Sequence, residues 1–287
     1  MKIALFGKSG MLGSRFQELL GNDNRSSDIS FHSFNSSDVD VTNFEAMKCV
    51  FGNVKPEIVI NCTGYTNVDG AEKERDRAFA INGYSLNNFA NLCKEYDSEL
   101  IHFSTDYVFD GTKNPPDGYL EDDIPNPINT YGESKFLGEK FITEKMKKFF
   151  IIRTSWLFGP NGKNFVKTML NLEDSVLIGK NESIKVVNDQ IGSPTYTVDL
   201  SESVLHNFIH TKKEYGIYHL TNTGICSWFD FAKSILKNIK PSPISSSEFN
   251  APAKRPKNSI LINSKLPQMR NWNEALKDYM SFDAIHS

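Results

Sequence analysis

The chain has 287 residues, 39% hydrophobic and 23% charged, the balance of a soluble globular protein with material for one large domain or two small ones. A formal net charge of −3 gives no electrostatic basis for binding nucleic acid or an acidic membrane surface. No run approaches the ~20 apolar residues of a membrane span, and Met1–Phe6 passes too soon into Gly7-Lys8 to be a signal peptide.

The four cysteines (Cys49, Cys62, Cys93, Cys226) are scattered, and neither they nor the six histidines show metal-ligand spacing. The expectation is a cytoplasmic protein with no membrane or nucleic-acid partner and no metal.

Lys2-Ile3-Ala4-Leu5-Phe6 is a short apolar run suited to a strand buried on both faces of a parallel sheet. Gly7-Lys8-Ser9-Gly10-Met11-Leu12-Gly13 follows, and Ser14 to Leu20 reads as an amphipathic helix. A strand, a glycine-rich turn and a helix N-terminus together make a pyrophosphate cradle, because the turn brings backbone N–H groups close to the anion. The spacing is Gly-x-x-Gly-x-x-Gly, and a purely structural strand-to-helix turn is the alternative. A second strand over Ile29–Phe34 ends at Asn35-Ser36-Ser37. The absence of an acidic residue at that end, where the ribose 2′-OH of NAD is usually held, leaves room for the extra phosphate of NADPH, with Lys8 as its partner. Asp38 and Asp40 follow closely; Asp40 and Val41 are expected beside the adenine. Asn43–Phe51 reads as the next helix.

Glu57–Gly64 is a third buried strand with a small, polar end, so Cys62, Thr63 and Tyr65 are expected to face the cofactor at the carboxyl edge of the sheet. Ser85–Glu95 is an amphipathic helix, and Leu100–Ser104 a fourth strand running into Thr105. After a loop rich in Gly and Pro, Tyr131 and Lys135 stand four apart in a proline-free helical run from Gly132 to Lys148. Positions i and i+4 share a helix face, so phenol and ammonium can meet. Such an ammonium would lower the tyrosine pKa and fit it to exchange a proton with a carbonyl or alcohol oxygen, which the Thr105 hydroxyl could also hold. An isolated pair of this kind would be an ordinary exposed helix pair. Phe149–Thr154 is a further strand, and the unbroken alternation predicts a doubly wound parallel sheet.

Beyond Trp156 the pattern loosens. Helices are expected over Asn164–Leu172, Val198–Ile209, Trp228–Ile239 and Asn271–Met280, and strands at Val176–Ile178, Ile184–Val187 and Gly216–Leu220. Pro241–Pro256 reads as a surface loop.

This set of motifs resembles the extended short-chain dehydrogenase/reductase superfamily and, within it, the dTDP-4-dehydrorhamnose reductase family. The resemblance rests on Ser104–Gly111, Asn126–Lys135, Arg153–Trp156, Asn188–Thr195 and Arg255–Ser259, and spans nearly the whole chain. It implies a Rossmann-type α/β domain over 1–155 and a smaller sugar-nucleotide lobe over 156–287, with segments able to return to the first domain. It implies hydride transfer from NADPH, with NADH as an alternative, to C4 of a nucleotide-linked 4-keto-6-deoxy sugar. Tyr131 would then protonate the alkoxide, Lys135 would lower its pKa and hold the nicotinamide ribose, and Thr105 would orient the keto oxygen. Asp106, Tyr107 and Trp156 match positions around the sugar, and Arg255 the diphosphate. A core tryptophan and a surface arginine are the plain alternatives for the last two. The dehydratases of the superfamily carry Asp-Glu after the catalytic threonine; here Asp106 is followed by Tyr107. A reductase or epimerase of another nucleotide sugar, or a regulatory subunit of this fold, is the rival reading. Family habit favours a homodimer.

Overall fold

The computed structural model describes residues 1–21, 29–181, 183–211 and 213–286. The principal elements are β1 (Lys2–Phe6), α1 (Met11–Gly21), β2 (Ser30–Phe34), α2 (Phe44–Val54), β3 (Ile58–Asn61), α3 (Ser85–Glu95), β4 (Glu99–Thr105), α4 (Thr130–Lys145), β5 (Phe149–Thr154), α5 (Phe165–Leu177), α6 (Thr197–Val204), β6 (Gly216–His219), α7 (Trp228–Ile235) and α8 (Trp272–His286). The six strands pair in parallel in the order β6-β5-β4-β3-β1-β2. The chain leaves β1 for β2 on one side and returns to β3 on the other. The crevice for a ligand in such a sheet lies at that reversal, outside the carboxyl ends of β1 and β3.

Ile3, Ala4, Leu5 and Phe6 are all fully buried, as a strand covered on both faces requires. One face packs Phe16 of α1 and Leu200 and Val204 of α6 against Ile3, Leu5 and Ile101. The other packs Met47 and Phe51 of α2, Phe89 of α3 and Ile142 of α4 against Ala4, Phe6 and Val59. A second core joins Phe158, Val166 and Met169 to Phe231, Trp272 and Tyr279 in the later half of the chain.

The predicted strand at Val176–Ile178 does not form. Val176 and Leu177 close α5, and Leu177 and Ile178 are exposed. Three β-formers cannot outweigh a helix already propagating, whose Val166 and Met169 face the core. Continuation of α5 also places Glu173, whose Oε1 accepts from the backbone N–H groups of Lys237, Asn238 and Ile239 at 2.9, 2.6 and 3.0 Å. Those N–H groups are thereby held outside a helix, and α7 stops at Ile235 instead of reaching Ile239. The stretch 241–256 is also more ordered than a loop. Ser242–Ile244 pairs with Lys185–Val187, and a short helix, Ser246–Phe249, starts with a Ser245–Glu248 capping box.

Candidate active site

The glycine turn is built by packing as much as by access. Gly7 adopts φ +87°, a left-handed conformation, and a Cβ there would lie 2.8 Å from the Cys62 carbonyl carbon. A Cβ on Gly13 would fall 2.0 Å from Gly7 O, so this glycine lets α1 sit directly on the turn. Gly10, Met11 and Leu12 line a cleft of about 650 Å³ at the sheet reversal, together with Ser9. That is the space and the helix N-terminus a dinucleotide needs. Gly7, Lys8 and Gly13 do not line the cleft. Lys8 reaches the end of β2, where its Nζ meets Asp38 Oδ2 at 2.7 Å and Ser33 O at 3.3 Å. Asp40 and Val41 are also off the cleft: Asp40 Oδ1 caps a turn by accepting from Thr42 N and Oγ1, and Val41 is buried against α2 and its neighbours.

Cys62, Thr63 and Tyr65, after β3, also line the cleft, with Cys62 and Thr63 packed against the glycine turn. Tyr65 is locked by Asn82, which accepts from Tyr65 N (2.8 Å) and donates to Tyr65 O and Ser134 Oγ (3.0 Å each). Asn82 itself borders the cleft, and no sequence motif announces it.

The helix bearing Tyr131 and Lys135 starts where Asn129 caps it, its Oδ1 accepting from Gly132 N at 2.8 Å. Gly132 is needed there because a Cβ would strike Tyr107 O at 2.1 Å. That close approach brings Tyr131 edge-on to Tyr107, ring centroids 5.8 Å apart at 80°. Thr105, Asp106, Tyr107, Tyr131, Lys135, Trp156 and Arg255 all border one cleft. Thr105 Oγ1 donates to Asp106 Oδ1 (2.9 Å) and accepts from Tyr107 N (3.2 Å).

The expected electrostatic link between Lys135 and Tyr131 takes a different form. Burial pushes the Tyr131 phenol up to about 12; the Thr105 hydroxyl pulls it back and the Asp106 charge adds to the rise. Lys135 is not among the groups that set this shift, and its Nζ donates to Phe103 O at 2.6 Å, on the strand behind. Burial brings Lys135 itself down to about 8, opposed by the Glu139 charge and the neighbouring Cys62 sulfur. Burial also raises Asp106 to about 7, opposed by the nearby Ser259 and Thr105 hydroxyls. The buried Ser104 Oγ, Asp106 Oδ2 and Thr154 Oγ1, all on cleft-lining residues, have no hydrogen-bond partner among the described residues. Such atoms are costly unless a ligand or water meets them.

Trp156 has a left-handed backbone (φ 48°) and stacks on Trp228, ring centroids 3.5 Å apart at 8°. The pair makes a flat aromatic wall, and Trp228 was not marked by any sequence signal. Lys163 and Gly162 complete the rim. Arg255 clamps Asp69 with NH1 to Oδ1 (3.0 Å) and NH2 to Oδ2 (2.9 Å) and also donates to Ala253 O (3.1 Å). An anion at this edge would share the guanidinium with Asp69. Among the described residues no group of three or more His, Cys, Asp or Glu could hold a metal ion.

Comparison with known proteins adds to this geometry. Residues 1–284 match the family described as RmlD substrate binding domain. A dTDP-4-dehydrorhamnose reductase of Aggregatibacter actinomycetemcomitans is 35% identical, covering 98% of this chain and 99% of its own. The spore coat polysaccharide biosynthesis protein SpsK of Bacillus subtilis is 41% identical over 80% of this chain and 81% of its own. Among solved structures, the dTDP-4-dehydrorhamnose reductase of Bacillus anthracis in complex with NADP superposes with a TM-score of 0.90. It is 41% identical and covers 98% of this chain and 99% of its own.

Proposed function

The chain belongs to the dTDP-4-dehydrorhamnose reductase family, and from that premise we propose that its cleft reduces the C4 keto group of dTDP-4-dehydro-L-rhamnose to give dTDP-L-rhamnose. The observation that carries this reading is the convergence of Thr105, Tyr131 and Lys135 with the Trp156–Trp228 wall in one cleft beside the glycine turn. NADPH, when bound, supplies the hydride that becomes the new C4–H bond. The residues of the cleft fit it: Gly10, Met11 and Leu12 offer the α1 N-terminus to the pyrophosphate, and Lys8 stands at the end of β2 for the 2′-phosphate, in competition with Asp38.

Tyr131 is the proton donor. With a pKa raised to about 12 it stays protonated at neutral pH, and its proton moves from Oη to the oxygen that gains charge as hydride arrives. Lys135, as the ammonium, would hold the nicotinamide ribose. Thr105 shares the keto oxygen with Tyr131; its single proton, held by Asp106 Oδ1, must turn toward the substrate for this. Trp156 and Trp228 provide an apolar wall for the deoxysugar, each with one N–H donor. Tyr107 and Arg255 line the side on which the diphosphate would enter.

The test is NADPH oxidation on adding freshly made dTDP-4-keto-6-deoxy-L-mannose, with dTDP-L-rhamnose identified as product. Turnover of a different keto-sugar nucleotide alone would keep the chemistry and replace the substrate. Silence with every such substrate would favour a regulatory subunit. The four free cysteines support a reducing, cytoplasmic setting, and among the described residues no helix is long and apolar enough to cross a membrane. A homodimer is part of the proposal, and light scattering checks it.

A further inference from the structure

Beside Lys135, starting from Thr63 at the cleft wall and running inward, lies a polar chain that the proposed chemistry does not use. Asn61, the last residue of β3, and His102, its register partner on β4, are both fully buried. Thr63 N and Thr63 Oγ1 donate to Asn61 Oδ1 at 2.9 and 2.6 Å. A backbone N–H can only donate, so the amide atom facing it must be the oxygen, and the orientation of Asn61 is fixed. Asn61 Nδ2 therefore points at His102 Nδ1, 3.2 Å away. An amide nitrogen is a donor only, so Nδ1 must accept. Burial and the Lys135 charge hold His102 well below its ordinary pKa, outweighing the Asn61 carbonyl that favours the charged form. The ring is neutral, and its one proton must sit on Nε2.

That nitrogen faces Lys135 Nζ at 3.5 Å. An ammonium has three donors and no acceptor, so Nε2–H and the charged lysine oppose one another across this gap. A neutral amine there would instead accept the Nε2–H bond. We propose that the Thr63–Asn61–His102 chain fixes His102 as the Nε2–H tautomer, and that this positioning residue weakens the hold of Lys135 on its proton. The other groups facing Lys135 are the Cys62 thiol just after β3, the Phe103 carbonyl from β4, and Tyr131 and Glu139 on its own helix; Glu139 is neutralised by Arg153 of β5. Of these, Glu139, the Cys62 sulfur and the Phe103 carbonyl favour the ammonium. His102 is the hydrogen-bond donor placed to oppose it.

The importance of Lys135 rests on the function proposed above, but the tests do not require turnover. In ¹⁵N-histidine-labelled protein without added cofactor, long-range ¹⁵N–¹H spectra should show His102 protonated at Nε2. A ring protonated at Nδ1 would overturn the proposal. In lysine ¹³Cε titrations, His102→Phe should move the Lys135 midpoint up by about one pH unit. An unchanged or lower midpoint would overturn it as well. If His102→Phe does not fold, the tautomer in the wild-type protein still decides. The same substitution should shift the alkaline limb of kcat/KM upward, which a merely structural histidine would not do. Loss of the function proposed above would show separately, as unchanged turnover in Tyr131→Phe.

Discussion

Two buried cations lie on adjacent elements, Lys135 on α4 and Arg153 on β5, and each has a histidine beside it. Arg153, on β5, lies in a fully compensated site. Its Nε and NH2 donate to the two oxygens of Glu139 at 3.0 and 2.7 Å, and its NH1 donates to Glu121 O at 3.2 Å. Its histidine, His219, turns Nδ1 toward the carbonyls of Tyr119 and Ile262, both at 3.1 Å, so Nδ1 carries the proton and Nε2 is left to accept from Arg153 at 3.4 Å. Lys135 has the opposite arrangement: donors fix His102 so that its proton points at the cation. The difference shows how one fold separates two uses of a buried charge. Where the cation ties β5 to α4, each contact is donor to acceptor. Where it serves the cleft, the surroundings leave its proton easier to release.

The largest expected effect comes from breaking the compensated site. Glu139→Ala leaves Arg153 buried without its carboxylate and should cost about 3–5 kcal/mol of unfolding free energy, read by urea denaturation. A loss under 1 kcal/mol would mean that water or another carboxylate reaches Arg153. Lys135→Met should behave in the other sense, with little loss of stability and a severe loss of turnover.

Next in size is Tyr131→Phe. Removing the phenol oxygen should lower kcat by roughly a hundredfold or more while leaving dinucleotide binding nearly intact, the scale of a lost general acid. Normal turnover would remove Tyr131 from the chemistry and leave the Lys135 site without a purpose.

How much of this contrast was legible in the sequence depends on distance along the chain. Tyr131 and Lys135 could be placed on one helix because spacing alone decides it, and the Thr105 strand end and the glycine turn lie next to their own signals. The direction of the Lys135 amine could not be read, because Phe103 O and His102 belong to another strand and become its neighbours only through sheet register. Trp228 was missed for the same reason: its stacking partner, Trp156, lies far away in the chain. Asp40 and Val41 were expected beside the adenine from their place after β2. Asp40 Oδ1 accepts from Thr42, Val41 packs under α2, and neither borders the cleft. In α5, a local β signal at Val176–Ile178 lost to a helix whose Glu173 holds the end of α7, a contact no local pattern reveals.

The same comparison sets two pH responses. For kcat/KM, which reports the free enzyme, activity should fall as pH rises through about 8 and the Lys135 ammonium is lost. Tyr131, at about 12, stays protonated over this range. Stability should respond at the other end. Burial holds His219 down at about 3 against an ordinary 6.5, so between these values the unfolded chain binds the extra proton. Its contribution is present above about 6.5 and is lost as pH falls toward 3, by at most ~1.4 kcal/mol per pH unit. His102, held low by burial and Lys135, adds in the same direction. Thermal melts that are flat from pH 7 to 4 would show that neither histidine is buried neutral.

The smallest effect tests a third cation, at the exposed end of the series. Lys8 and Asp38 are both substantially solvated, so their pairing should contribute little to folding, and its interest lies in the cofactor. If the 2′-phosphate of NADPH draws Lys8 from Asp38, Lys8→Ala should raise KM for NADPH by about fivefold and leave NADH almost unchanged. The effect should stay below that of an unshared charged contact, because part of the attraction is used to displace Asp38 and, with it, the bond from Lys8 to Ser33 O. Asp38→Asn should then work in reverse, freeing Lys8 and tightening NADPH. Equal changes for both cofactors in Lys8→Ala would place Lys8 in the structure of the turn and not at the phosphate. Of the three cations, only the buried two would then bear on how the protein uses charge.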